Sequence, residues 1–305
     1  MNVRFDNIIY LYNMSKEIKL TGVKVDTFLE LMRRNVPGSS VMIEIQDDML
    51  TMFSISGVGI IKRSIIDINS MAESVENPFT DMVTCVLRSP DFSILNGCEK
   101  TDISFIVNDK KNTMISLKIS YKPAESLKPM YITYKNCAPE WITMIGLKRP
   151  KDQHFIKAEN DNVIDIDANT EFLLRQLSKM YKQTSNKYIY MYTKNDNTVN
   201  ISTIRTDEAL NNEGDTRVLS DLIVSEAFDK YMAFEKLFSF DIDVKNPTEL
   251  EYVSFLEYNT LMQLFDKKDD STNYIMSYNQ NFMRIESTYD SISTTSIAAF
   301  CEINM

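Results

Sequence analysis

The sequence has few of the residues from which catalytic sites are usually built. Its 305 residues include one histidine and seven glycines. His154 lies in the polar stretch "KRPKDQHFIKAEND", which favours a loop position over the role of a catalytic base. The stretch "SGVGII" around Gly57 and Gly59 lacks the third glycine and the helix that a nucleotide-binding turn needs. The sequence therefore predicts no catalytic residue and no cofactor, although a site assembled from distant residues would escape this search.

Cysteines are also few, and long apolar runs are absent. Four thiols, at Cys85, Cys98, Cys137 and Cys301, show no metal-type spacing and predict reduced cysteines, with a pairing such as Cys85 with Cys98 left open. No run approaches 18 apolar residues, and the start has no cationic segment followed by an apolar run and a cleavage site. We therefore expect a cytoplasmic protein without a membrane span, in the host cytoplasm if a virus or phage encodes it.

An acidic cluster, "DNVIDIDAN", is the one stretch that suggests a metal site. Carboxylates are the ligands that Mg²⁺ prefers. However, Val163, Ile164 and Ile166 alternate partly with Asp165 and Asp167, which is typical of a strand with one solvent-facing side. We therefore predict a strand here and no metal site.

The overall charge is acidic. The formal net charge is −10, with 44% hydrophobic and 25% charged residues, as in soluble globular proteins. This balance argues against a chain that coats nucleic acid by its total charge. A local basic face remains compatible with it.

One predicted helix carries such a face. In "TEFLLRQLSKMYKQ" three cations recur at i, i+4 and i+7 and share one side, while three apolar residues share another. The cations are Arg175, Lys179 and Lys182, and the apolar residues are Leu173, Leu177 and Met180. Either the basic side is simply solvated or it binds an anionic partner, and the helix alone leaves both interpretations open.

The same order of elements occurs in both halves of the chain. In the first half a helix with apolar residues at Val25, Phe28, Leu29, Met32 and Val36 ends at "NVPGSS" and precedes the strands "SVMIEI" and "LTMFSIS". In the second half "NVIDIDA", the basic helix, "KYIYMYT" and "TVNISTIR" follow the same plan.

A second unit follows in each half. The first half continues with a strand in "DMVTCVL", a short helix over about 90–100, and the strands "ISFIVND" and "TMISLKISY". The second half continues with "LFSFDIDV", a helix in "FLEYNTLMQLFDKKD", and strands in "NYIMSYNQ", "FMRIEST" and "TTSIAAFCEI". We predict an α+β fold of two similar domains, each with two helices packed against antiparallel sheets. They span 1–145 and 160–305, with a connector at about 121–160.

This plan resembles the sliding clamps of DNA replication, the family of proliferating cell nuclear antigen and the T-even-type phage clamps. The likeness is carried by "DTFLELMRRNVPGSSVMIEIQDDMLTMFSIS", "FSILNGCEKTDISFIVNDKKNTMISLKISY" and the final stretch from "NTLMQLFDKKDD" to "SIAAFCEI". It implies a DNA-clamp-like fold with helices that line a central hole, and a processivity factor that is not an enzyme. Extra segments at 72–80, at 121–160 and in "SEAFDKYMAFEK" depart from a compact clamp.

The resemblance also implies an inner surface that attracts duplex DNA without recognising its bases. Nine cations on or beside predicted helices are the candidate DNA-binding residues. They are Arg33, Arg34, Arg88, Lys100, Arg175, Lys179, Lys182, Lys267 and Lys268.

The implied partners are a DNA polymerase, a clamp loader and further copies of the chain. The family pattern implies a homotrimeric ring, with the strands near 297–303 close to the edge that pairs across subunits. It also implies a pocket for a partner peptide near the connector, where the candidates are Met130, Tyr131, Trp141, Ile142, Met144 and Ile145. The stretch "EWITMIGL" fits a buried strand equally well.

Two other classes of protein stay open at this level. One is a monomeric clamp-like polymerase accessory factor of the herpesvirus type. The other is a viral structural or interaction protein without enzymatic activity. The low glycine content and the abundance of Met, Asn, Ile and Tyr are typical of an AT-rich genome, such as many phages and large DNA viruses have.

Overall fold

A computed structural model describes 13 parts of the chain. They are 15–35, 40–55, 59–108, 111, 113–122, 128–137, 149–159, 161–167, 188–193, 197–202, 239–245, 252–264 and 273–300. All statements about structure below refer to these residues.

Most of the described elements are strands. In chain order they are β1 (Ser15–Lys24), β2 (Val41–Gln46), β3 (Met49–Ile55), β4 (Ile61–Asp67), β5 (Ser74–Glu76), β6 (Val83–Leu87), β7 (Lys100–Asn108), β8 (Thr113–Tyr121), β9 (Met130–Lys135), β10 (Asn162–Ile166), β11 (Tyr188–Thr193), β12 (Thr198–Ser202), β13 (Ser239–Asp243), β14 (Tyr252–Glu257), β15 (Asn273–Tyr278), β16 (Phe282–Tyr289) and β17 (Ile292–Ala299). The helices are α1 (Val25–Arg33), α2 (Ile68–Met71) and α3 (Tyr258–Leu264), with 3-10 turns at Ser93–Leu95 and Asp152–Phe155.

The chain divides into two compact units. Unit 1 contains Met1–Gln153 and Thr288–Thr295, and unit 2 contains His154–Ser287 and Ser296–Met305. No helix in the described ranges is long and apolar enough to cross a membrane.

Unit 1 is a sheet with one face covered by α1. Its strands follow the order β4-β3-β2-β6-β8-β7-β1-β5, and β9 pairs with β8. Along β7 the residues Thr101, Ile103, Phe105 and Val107 are buried in alternation, which puts every second side chain into one core. Helix α1 adds Val25, Phe28 and Leu31 to the buried set, as its apolar spacing predicts.

Unit 2 contains the strand group β13-β12-β11-β14 and the neighbouring strands β10, β15 and most of β16, while β17 is divided between the two units at Thr295. Arg284 of β16 is fully buried, and its Nη1 lies 2.9 Å from Asp161 Oδ2 just before β10. Asn279 donates a 2.8 Å hydrogen bond to the other oxygen of Asp161. A buried charge is tolerated only when it is paired in this way, so the network fixes the start of β10 to the β15–β16 hairpin.

Most of the predicted elements are present. Helix α1, the β2–β3 hairpin with its turn at Asp47 and Asp48, and the β7–β8 pair are confirmed. The stretch "NVIDI" is strand β10, as predicted. The thiols of Cys85, Cys98 and Cys137 are free, so the pairing of Cys85 with Cys98 is not formed.

Two expectations are wrong, and one confirmed helix starts later than predicted. The helix predicted over 90–100 is only the turn Ser93–Leu95, because Gly97 has the left-handed φ of 84° and Lys100 already begins β7. The last predicted helix is present at Tyr258–Leu264, and it starts there because the residues before it pair with β11 as strand β14. Strand β17 has a hydrogen-bonded strand on each side, so Ile297–Ala299 form no open edge; residues 301–303 lie outside the described ranges.

Candidate functional site

The last turn of α1 places two adjacent arginines in opposite environments. Arg33 is exposed and forms an ion pair with Glu30. Arg34 is buried, with 1% of its side chain exposed, and its Nε lies 2.8 Å from Glu30 Oε1. Its guanidinium lies 5.0 Å from the ring centre of Tyr289. Arg34 therefore does not reach solvent, and we remove it from the predicted DNA-binding residues.

Two lysines lie at the other end of α1. Lys24 precedes the helix and pairs across strands with Lys100, and both side chains are exposed. Lys100 donates a 2.5 Å hydrogen bond to Glu73, and this bond raises the pKa of the lysine. Because nine residues of helix rise about 13 Å, Arg33 lies roughly that far from Lys24 along the helix axis. Lys24 is not among the predicted DNA-binding residues, although it directly precedes the helix in the sequence.

Of the six other predicted DNA-binding cations, the structure describes only Arg88. Arg88 is exposed directly after β6. It lowers the pKa of the Cys137 thiol, but burial has the larger, opposite effect and leaves that pKa raised. The remaining five, Arg175, Lys179, Lys182, Lys267 and Lys268, lie outside the described residues.

Met130 and Tyr131, from the predicted partner pocket, lie on strand β9. Their exposed fractions are 49% and 60%, and Lys118 Nζ of β8 lies 4.5 Å from the ring centre of Tyr131. The alternate residues Ile132 and Tyr134 pack against the core of unit 1. Among the described strands β8 is the only neighbour of β9, so β9 is an outer strand.

After β9 the backbone is held firmly by Asn136. Its side chain accepts a 2.8 Å hydrogen bond from Val86 N and donates one of 2.8 Å to Met114 O. Cys137 N donates a 2.9 Å bond to Val86 O. The chain is therefore fixed to β6 and β8 just before residue 138.

Arg149 fixes the chain again twelve residues after Cys137. Its Nε lies 2.8 Å and 3.1 Å from the two carboxylate oxygens of Glu44, and its Nη atoms lie 3.1 Å and 3.2 Å from those of Asp152. The guanidinium also lies 5.4 Å from the ring centre of Phe53. Glu44 is buried on β2, so Arg149 neutralises a charge that would otherwise be costly to bury.

These two attachment points lie close together on unit 1. Val86 of β6 pairs with Met42 of β2, and Glu44 is two residues from Met42 along the same strand, a distance of about 7 Å. Cys137 and Arg149 therefore contact the same pair of strands, β2 and β6. Four predicted partner residues, Trp141, Ile142, Met144 and Ile145, belong to the stretch 138–148 and lie outside the described residues.

A second outer strand occurs in unit 2. Strand β13 has β12 as its one neighbour among the described strands, and its position in β13-β12-β11-β14 matches that of β4 in β4-β3-β2-β6. The pairing registers agree, since Leu50 opposes Ile66 and Val199 opposes Ile242. Strand β4, however, also has β17 beside it. The repeat therefore covers one of two equivalent strands. The other has β12 alone beside it along Ser239–Asp243, and Lys245, two residues after the strand, pairs with Val163 of β10.

Acidic side chains do not gather into a metal site in the described part of the chain. No group of three or more His, Cys, Asp or Glu residues there is arranged to hold a metal ion.

Three solved structures have the same fold over nearly the whole chain. Proliferating cell nuclear antigen (PCNA) of A. fulgidus, solved with the C-terminal region of FEN-1, matches with a TM-score of 0.58 and 13% identity, covering 95% of this chain and 99% of that one. PCNA of Entamoeba histolytica gives 0.55 and 10%, covering 94% and 98%. The PCNA2–PCNA3 complex of Sulfolobus tokodaii gives 0.52 and 7%, covering 93% and 99%.

Sequence comparison adds no relative: no family model and no curated protein matches this chain. The structural likeness nevertheless extends through both units, and its low identity establishes the fold alone. The chain therefore has the sliding-clamp fold, as the order of its elements predicted.

Proposed function

We propose that this protein is a sliding clamp that encircles duplex DNA and tethers a replicative polymerase for processive synthesis. The observation that carries the proposal is the match to PCNA structures over about 95% of the chain, through both halves of the internal repeat. On this proposal the protein is not an enzyme, and it needs no cofactor. Fold alone does not determine function, so the proposal also depends on the cationic surface and the outer strands of the protein.

The proposed DNA surface consists of cations on and beside the helices. Arg33 is exposed at the end of α1, and Lys24 and Lys100 are exposed at its start. Further members are Arg88, Arg175, Lys179, Lys182, Lys267 and Lys268. Such residues attract phosphates of any sequence, and many weak contacts permit sliding where one strong contact would hinder it. A net charge of −10 then belongs mainly to the outside of the ring.

The proposed assembly is a homotrimer of two-domain chains, with domains at about 1–145 and 160–305. The two outer strands supply the contact: β9 of one copy pairs with β13 of the next. A head-to-tail contact of this kind closes into a ring when the rotation between copies fits. Three copies give six domains, the number that the clamp resemblance implies.

The proposed protein partners are a DNA polymerase and a clamp loader. One structural neighbour, PCNA of A. fulgidus, was solved with the C-terminal region of FEN-1 bound to it, which supports a terminal segment of a partner as the ligand. We assign this role to Trp141, Ile142, Met144 and Ile145, between the attachment points at Cys137 and Arg149. Met130 and Tyr131, on β9, then belong to the contact between copies. Trp141 fluorescence that never responds to the tail of the cognate polymerase would contradict the peptide assignment.

The residue usage of the sequence favours a phage or a large DNA virus as the source. A monomeric clamp-like accessory factor remains the alternative function. It predicts the mass of a single chain, 35.3 kDa, at every concentration.

Replacement of Arg175, Lys179 and Lys182 by alanine tests the DNA surface. The triple variant should bind every duplex sequence more weakly, and the slope of log affinity against log salt should fall by about 0.9 for each phosphate that is no longer neutralised. Stability should change little, because exposed charges contribute little to it. Salt-titrated DNA binding and polymerase processivity are the measurements. Unchanged values in both would show that these cations only cover a solvated helix.

A further inference from the structure

We propose that opposite charges on the two outer strands select which edges pair, so that β9 meets β13 of another copy and neither strand pairs with itself. This inference rests on the proposed ring. It adds the charged residues that determine which strand edges pair between copies.

The solvent-facing side of β9 is cationic. Tyr131, Thr133 and Lys135 are exposed in alternation along the strand, opposite to the face that packs on the core. Lys118 of β8 opposes Thr133 and is also exposed, and it lies against the Tyr131 ring. Lys118 and Lys135 therefore put two positive charges on this face.

The solvent-facing side of β13 is anionic. Asp241 and Asp243 are exposed on either side of Ile242, which is buried. Asp241 opposes Asn200 of β12 and accepts a 2.9 Å hydrogen bond from its side-chain nitrogen. Asn200 itself is buried. Lys245, the next residue in this alternation, is exposed and forms an ion pair with Asp165. The face carries two negative charges from the strand itself.

The three ways of pairing these edges differ in their electrostatics. Two copies of β9 side by side would bring lysines near lysines, and two copies of β13 would bring aspartates near aspartates. Both arrangements are two-fold symmetric and would end assembly at a dimer. Only β9 against β13 places opposite charges on one face, where side chains on neighbouring strands lie about 5 Å apart. The charges thus oppose the closed dimers and favour the head-to-tail order that a ring needs.

Charge reversal tests the proposal. One variant carries Lys118→Glu and Lys135→Glu, a second carries Asp241→Lys and Asp243→Lys, and a third combines all four changes. A control carries Lys151→Glu and Lys157→Glu, exposed lysines that lie on neither strand. Sedimentation velocity over a range of protein and salt concentrations measures the association of each variant.

Each two-site reversal should weaken association by about tenfold or more in low salt, because attractive cross-strand pairs become repulsive. The four-site variant should recover the association of the wild type, which also shows that the reversed residues are compatible with folding. The control should associate as the wild type does. Added salt should reduce the differences in association between the variants and the wild type, since exposed charges are screened.

The failures of the two proposals are distinguishable. If the wild type forms a ring and the two-site variants associate equally well, the charge selection is wrong while the ring stands. The same conclusion follows if the four-site variant stays as weak as the two-site variants. If the wild type remains a monomer at every concentration, both the proposed ring and the proposed selection of strand edges by charge are wrong.

Discussion

Arg33 and Arg34 are adjacent in the sequence, yet only one of them faces solvent. The Arg33 side chain is about half exposed, whereas the Arg34 side chain is buried between Glu30 and Tyr289. A helix turns by about 100° per residue, so neighbouring positions point in different directions. The sequence alone does not show which of the two arginines is buried.

This difference gives a matched pair of variants. Arg33→Ala should weaken DNA binding and lower its salt slope by up to about 0.9, with little effect on stability. Arg34→Ala should lower the free energy of unfolding by about 1 to 3 kcal/mol, because it removes the buried one of the two arginines paired with Glu30 and leaves only the half-exposed Arg33. Urea unfolding and salt-titrated DNA binding of both variants measure the two effects. Equal losses of stability would refute the assignment.

Asp161 makes a further prediction, about acid pH. Burial raises its pKa, but hydrogen bonds from Asn279, from the backbone of Ala158 and from Arg284 outweigh burial and hold the pKa below its ordinary value. The ionised carboxylate therefore adds stability above the pKa of an unfolded aspartate, about 3.9, and that contribution disappears as pH falls through the lower folded pKa.

Asp161→Asn removes this dependence on pH. At pH 7 it should lower the free energy of unfolding by about 3 to 5 kcal/mol, because Arg284 stays buried without its charge partner. The gap between wild type and variant should shrink as pH falls below about 4, where the wild type loses the same interaction. Asp165→Asn, at an exposed ion pair with Lys245, is the control and should cost little. A gap that stays constant down to about pH 2 would contradict this account.

Among whole elements, strands and the first helix were predictable because their periodicity matches their burial. Val25, Phe28 and Leu31 recur at helical spacing, and the residues of β7 alternate. The helix predicted over 90–100 failed because Gly97 and the preceding Pro90 favour turns, which outweighed the apolar residues between them. The charge of Arg149 was visible, but its pairing with Glu44, 105 residues away, depends on the tertiary fold.

We expect the contact between Arg149 and Glu44 to affect peptide binding as well as stability. Arg149→Ala leaves the buried Glu44 unpaired and should lower the free energy of unfolding by about 1 to 3 kcal/mol, since the arginine itself is 36% exposed. It should also weaken binding of a polymerase tail peptide, because one end of residues 138–148 is released. Arg149→Ala combined with Glu44→Gln is the control, which should regain stability but not peptide binding. Normal peptide binding in the single variant would show that the contact serves stability alone.

For the whole molecule, the proposed function raises the question of how an acidic chain would hold DNA. A net charge of −10 repels a polyanion at long range, so affinity must come from a local cationic surface or from topological closure. A ring supplies closure, because a clamp threaded on DNA leaves only at an end or by opening. The sequence predicted this fold from the order of its elements, while the outer strands of the proposed ring emerged only from the sheet order.

Retention on DNA with free or blocked ends tests encirclement most directly. The protein is bound to two otherwise identical linear duplexes, one with open ends and one with a bulky protein at each end, and is then challenged with high salt and competitor DNA. A ring should be lost from the open duplex within the time of sliding and stay on the blocked one, because screening weakens phosphate contacts but not a topological link. Loss at the same rate from both duplexes would contradict the account and favour a monomeric accessory factor.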